Sequence, residues 1–297
     1  MKKRRQQGIL TGMPFMANLA SRTFVDDAGR KIFVADPPTR IVSLAPSVTE
    51  ILFAIGAGEQ VVGVTSFCDY PPDAQAKPKV GGAFPNLEVV LSLKPTLVLA
   101  PRDFIRPDMA AKLDQLKIPL FILEANTIED VLRHIQTVGR MLGRSERADS
   151  VAADLRRRVA EVKARTADAP RPRVFYVLNS DPLMSAGPGS FIHQLIELAG
   201  GTNVAAGSPV AYPRLSLEEV IKQDPQVILF PVGDDEGIPE QEQQRWLRWT
   251  TLSAVKQNRF VRLPSVLLDR PGPRVVDGLE RLARQLHPDR FSGGGAR

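Results

Sequence analysis

Chemically reactive side chains are scarce in this sequence. It holds one cysteine, three histidines and two tryptophans in 297 residues. The lone Cys68 excludes an internal disulfide, leaves the redox compartment open, and has no local base that would make it a nucleophile. His134, His193 and His287 each sit in a helical pattern without a second ligand at metal spacing, which reads as structural use. Nucleotide and hydrolase signatures are missing as well. Gly56-Ala57-Gly58 lacks the third glycine of a dinucleotide fingerprint and follows a helix, and there is neither a Walker loop nor a Gly-x-Ser-x-Gly elbow. No run of 18 apolar residues occurs, so no segment is expected to cross a membrane as a helix. A large charge excess is also lacking. The net charge is +6, of which Lys2, Lys3, Arg4 and Arg5 supply four, leaving +2 dispersed over the remainder. That balance argues against a nucleic-acid partner.

What is present describes a folded chain. A hydrophobic content of 43% with 24% charged residues suits one large or two medium α/β domains. Segment 1–21 begins with a basic stretch and continues mildly apolar, but Pro14 and Asn18 interrupt it; it reads as a degenerate secretory signal or a tail. From Arg22 to Leu142, short apolar runs alternate with helical patterns after a small hairpin over Phe24–Val34. The runs Arg40–Ala45, Val61–Val64, Thr96–Ala100 and Pro119–Leu123 have the character of buried parallel strands. Helical patterns cover Val48–Ile55, Leu87–Leu93, Pro107–Lys117 and Ile128–Leu142. The alternation restarts at Arg173–Leu178 and ends in helical patterns over Pro239–Trp249 and Arg274–Leu286.

Between the two series lies a helix of strong formers over 145–167, with Ser145 as N-cap and Pro170 and Pro172 beyond its end. Its apolar residues Ala148, Val151, Ala152, Leu155, Val159 and Val162 make a narrow stripe. Alone, it could be a crossover helix on one sheet or a strut between two domains. An internal repeat decides for the strut. Asn86-Leu87-Glu88 through Pro95 and Pro101 matches Ser216-Leu217-Glu218 through Pro225 and Pro231 in register, an offset of 130. The expected architecture is therefore two Rossmann-like parallel-sheet lobes, 22–142 and 170–290, joined by a single long helix at 143–169, with a tail at 291–297.

Open α/β sheets bind ligands in the loops that follow their strands. Those loops hold Ser47, Tyr70 and Phe84 in the first half, and Met184, Tyr212 and Arg270 in the second. Aromatics beside prolines suit a broad, partly apolar ligand, and the arginine suits acidic or amide groups. Glu88 and Glu218 hold equivalent places in the first turns of two short helices. A carboxylate there gains about 0.3–1 kcal/mol from the helix dipole. The duplication also suits docking onto a two-fold partner that carries arginines.

Taken together, Arg40–Gly58, Cys68-Asp69-Tyr70-Pro71-Pro72, Asn86-Leu87-Glu88 with Lys94-Pro95, and Arg270–Arg274 resemble the helical-backbone substrate-binding proteins of ABC importers. That family takes up vitamin B12, ferric siderophores and haem, and the likeness covers roughly residues 22–290. The motifs look most like those of its cobalamin-binding members. The resemblance implies a protein that performs no chemistry and clamps a corrinoid between its lobes through Tyr70, Phe84, Met184, Tyr212 and Arg270. It also implies an extracytoplasmic monomer that docks an ABC permease dimer, with its ATPase subunits, through Glu88 and Glu218. Haem or a ferric siderophore is the alternative ligand. The rival classes are a cytoplasmic two-domain α/β enzyme and a corrinoid or haem sensor.

Overall fold

A computed structural model describes residues 22–34, 37–233 and 237–292. The signal-like segment 1–21 and residues 293–297 of the expected tail lie outside the described residues. Strands β1 (Arg22–Val25) and β2 (Lys31–Val34) form the small antiparallel hairpin. Strands β3 (Ile41–Ser43), β4 (Val61–Val64), β5 (Leu97–Ala100) and β6 (Leu120–Ile122) form a parallel sheet in the order β4-β3-β5-β6. In the second half come β7 (Arg173–Tyr176), the short hairpin of β8 (Asn179–Ser180) with β9 (Leu183–Met184), β10 (Thr202–Asn203), β11 (Val227–Val232) and β12 (Phe260–Pro264). Four of these form a second parallel sheet, β10-β7-β11-β12. In each sheet the second strand in chain order lies outside the first, followed by the third and the fourth.

Strand alternation explains why both sheets are covered on two faces. Ile41, Leu97 and Leu99 point into a core that runs through both lobes, while Val42, Val98 and Ala100 point into a separate cluster on the other face. The second sheet repeats the pattern. Val174, Tyr176, Val227 and Leu229 face the shared core, and Phe175, Val177, Ile228 and Phe230 face a cluster of their own. Each valine, leucine, isoleucine or phenylalanine among them, fully buried, contributes about 1.5–3 kcal/mol.

The repeat is also visible in the backbone. Asn86 and Ser216 each cap the helix that follows, accepting from the Val89 and Glu219 amides respectively. Both helices end on a left-handed residue before a proline, Lys94 at φ 49° and Asp224 at φ 44°. The turns into β6 and β12 match likewise, with Lys117 at φ 55° and Asn258 at φ 50°.

The long helix runs over Ser145–Thr166. Ser145 is its first helical residue rather than its cap; Arg144 takes the cap position without a side-chain bond, after Gly143 ends the preceding helix at φ 67°. Ala148, Ala152, Leu155 and Val162 are buried in the shared core, with Val151 and Val159 packed against it. At one end Arg144 and Arg147 reach Gln60 and the Ala54 carbonyl of the first lobe, both at 3.3 Å. Further along, Arg158 grips Asp277 and Glu280 on the last long helix of the second lobe, Val275–Leu286, at 2.5 and 2.8 Å. The pattern over Pro239–Trp249 resolves into a short helix at Glu240–Gln244 and a 3-10 turn at Arg245–Arg248. There Gln243 turns inward to the Ile238 carbonyl and Trp246 packs on Phe175. Phe291 is buried at the end of the helix Pro288–Phe291.

Candidate functional site

A parallel sheet delivers every strand's following loop to the same edge, and here both sheets contribute to one cleft. Its volume is about 600 Å³. The first lobe supplies Ala45–Val48 after β3, Phe67 after β4, Pro101–Phe104 after β5 and Leu123–Asn126 after β6. The second supplies Leu178 after β7, Tyr212, and Asp269–Pro271 after the helical turn Ser265–Leu268 that follows β12. Phe67, Phe104, Leu178 and Tyr212 give the wall broad apolar faces, and Tyr212 is 55% exposed.

The lobes meet beside this cleft through charge. Arg270 Nη1 lies 2.7 Å from Asp69 Oδ1, and Arg274 Nη2 lies 2.6 Å from Glu50 Oε1. The Arg274 guanidinium also stacks on Tyr70, 3.9 Å from the ring centre. Gly272 lets the turn lie against the first lobe, since a Cβ there would come within 3.2 Å of Ser47 Cα. The Glu50 side chain is 2% exposed, and burial pushes its carboxyl up despite the Arg274 charge. At the back of the cleft, His134 Nε2 is 2.6 Å from Asp27 Oδ2. Burial alone would raise the Asp27 carboxyl, but hydrogen bonds from His134, Arg133 and the Glu124 amide outweigh it and hold the group far below its ordinary range.

The expected ligand residues separate into two sets. Ser47, Tyr212 and Arg270 are in the cleft wall. Tyr70 lies under Arg274, Phe84 is 73% exposed in the loop bridged by Gly81 and Pro85, and Met184 pairs with Asn179 and bridges Arg214. These three are not part of the wall. Sequence reading passed over Arg102, Asp103, Phe104, Glu124, Asn126 and Asp269. Their signal was available, because the first five follow β5 and β6 directly and the strand-end rule points to those loops as to any other. Glu88 and Glu218 are both exposed, in identically patterned first turns, with no side-chain hydrogen bond or ion pair among the described residues.

The other reactive groups are occupied structurally. Cys68 is buried with the Thr49 and Thr65 hydroxyls each 3.2 Å from its sulfur. His193 Nδ1 meets Asn203 at 3.0 Å, and His287 Nε2 meets the Gly200 carbonyl at 3.1 Å. Two equivalent lobes thus share one aromatic-walled cleft, and several of the charges in and beside it are paired with one another.

Comparison with known proteins makes the class specific. The periplasmic binding protein family model matches residues 41–267. The chain belongs to that family, whose members are non-enzymatic substrate-binding proteins of transport. It is 32% identical to the vitamin B12-binding protein of Vibrio cholerae over 252 residues, covering 84% of this chain and 90% of that one. An ABC transporter substrate-binding lipoprotein of Bacillus subtilis is 30% identical, over 90% of this chain and 86% of its own length. Among solved structures, a periplasmic haem-binding protein from Roseiflexus sp. RS-1 superposes with a TM-score of 0.74 at 29% identity, covering 84% of this chain and 98% of that one.

Proposed function

We propose that this protein captures a cobalamin-type corrinoid in the interlobe cleft and delivers it, outside the cytoplasm, to an ABC permease with its ATPase subunits. The observation that carries the reading is the cleft itself, an aromatic-walled cavity of about 600 Å³ built from both lobes at the strand ends of both sheets. Ser47, Tyr212 and Arg270 serve as inner contacts. Tyr70, Phe84 and Met184 touch those parts of a large ligand that protrude from the cleft. The vitamin B12-binding relative supports the corrinoid, and the lipoprotein relative supports the ABC permease as partner. Glu88 and Glu218 dock that permease. Each begins a helix that precedes a parallel strand, which places both at the same sheet edge as the cleft.

Calorimetric titration with cyanocobalamin, ferric haem and a ferric siderophore tests the ligand. Saturable binding of cyanocobalamin is expected, and silence toward every corrinoid would sink the reading. Haem is the second reading, favoured by the fold shared with the Roseiflexus protein. Docking is tested by Glu88→Lys with Glu218→Lys in reconstituted transport. Uptake is expected to stop with ligand affinity intact; lost affinity would place the glutamates in the binding site instead.

A further inference from the structure

The cleft's charges are unbalanced in a way that bears on ligand class. Its wall carries two arginines, Arg102 and Arg270, against three carboxylates, Asp103, Glu124 and Asp269. Both arginines are already paired. Arg102 Nε lies 3.0 Å from Glu124 Oε2, and Arg270 Nη1 lies 2.7 Å from Asp69 Oδ1. Asp269 accepts the Tyr176 hydroxyl at 2.7 Å. Asp103, exposed in the turn Arg102–Phe104 after β5, has no side-chain hydrogen bond or ion pair among the described residues.

We propose that Asp103 is a specificity-determining residue that makes the cleft accept a macrocycle edged with neutral carboxamides and reject one edged with carboxylates. The inference rests on the cleft being the ligand site, as proposed above. A carboxylate brought within about 4–6 Å of Asp103 meets a like charge that no cation in the wall is free of other partners to offset. A carboxamide at the same place donates an N–H to it in a charge-assisted hydrogen bond. The same side chain therefore favours one edge chemistry and disfavours the other.

Tyr212 reinforces the choice. Burial, then the negative charges of Asp269 and Asp103, push its phenol above the ordinary value of 10.0 and keep it protonated. Ferric haem held by tyrosine needs the oxygen as a metal ligand, which these carboxylates oppose. The one histidine among the described wall residues, His134, is engaged with Asp27 through Nε2.

Two matched probe pairs test the proposal. Dicyanocobinamide and dicyanocobyrinic acid share a corrin ring edged with amides or with carboxylates. Ferric protoporphyrin and its bis-propionamide form the equivalent porphyrin pair. Wild type, Asp103→Asn and Asp103→Lys are titrated with all four by calorimetry at low and high salt. The wild type is expected to prefer the amide member. Asp103→Asn should cut that preference about tenfold, equivalent to ~1.4 kcal/mol, and Asp103→Lys should reverse it. High salt should shrink the wild-type preference. Equal binding of the two members by the wild type, or a preference that neither variant changes, overturns the proposal. A silent corrinoid pair beside an Asp103-dependent preference in the porphyrin pair removes the corrinoid reading and keeps this one. Silence from all four overturns both.

Discussion

Glu50 and Arg274 join the lobes through one short, buried ion pair, and their chemistry sets a pH-dependent test. One oxygen of Glu50 and Nε of Arg274 have no hydrogen-bond partner, so the pair is only partly compensated. Replacing Arg274 with Met strands a buried carboxylate, at a cost of about 3 kcal/mol near neutral pH. The carboxyl already lies above its ordinary 4.5, so the folded state takes up a proton before the unfolded chain does. The deficit of Arg274→Met should therefore shrink as pH falls toward 4.5. Denaturant melts of both proteins along that range check it; a constant deficit would assign the loss to the missing stack on Tyr70. Asp27 has the opposite sign. Its carboxyl is held below the ordinary 3.8, so its contribution is fully present above that value and is lost as pH drops beneath it. Asp27→Asn should cost about 2 kcal/mol at neutral pH, and its melting curves should approach wild type only below pH 3.8.

At the scale of elements, the critical crossing is between Ile128–Met141 and the long helix. Gly139 sits where a Cβ would collide with the Ala148 Cβ, so the two backbones approach as closely as side chains permit. Gly139→Ala should destabilise by about 2 kcal/mol through overpacking. Adding Ala148→Gly should restore part of the loss, and a double-mutant cycle in thermal melts measures the coupling. Strictly additive effects would show that the helices can slide apart. The elements themselves were largely legible, because buried parallel strands are continuous apolar runs and their helices have clear periodicity. The stripe on the long helix identified the residues that reach the core. Its first turn was less legible. A serine beside a helix suggests a cap, yet the left-handed Gly143 and the extra residue Arg144 decide where the helix begins. The hairpin of β8 and β9 escaped for a similar reason: four paired residues in a polar loop show no periodicity.

At the scale of the molecule, one hydrophobic core runs from the first sheet through the long helix into the second. Opening the cleft widely would expose that core, break the Arg158 fork and separate the Arg270 and Arg274 pairs. Lobe motion on binding should therefore be small. Solution scattering with and without saturating ligand is expected to give nearly superimposable curves, and a rotation of tens of degrees would contradict this. The internal repeat anticipated this plan, since a segment duplicated around a lone helix places two equivalent units at its ends.

The sequence by itself determined most of the elements, their alternation, the duplicated unit and the twin glutamates, because each depends on patterns carried by short stretches of chain. Only the tertiary structure decided which loop residues share a wall. Ser47, Asp103, Asn126, Tyr212 and Asp269 come from separate strand ends of two sheets, and the parallel topology brings them to one cleft. It also decided how charge is spent there. Asp69 and Arg270 stand 201 positions apart in the chain, and nothing local marks them as partners. The pairing arises only when the last turns of the second lobe fold back onto the first.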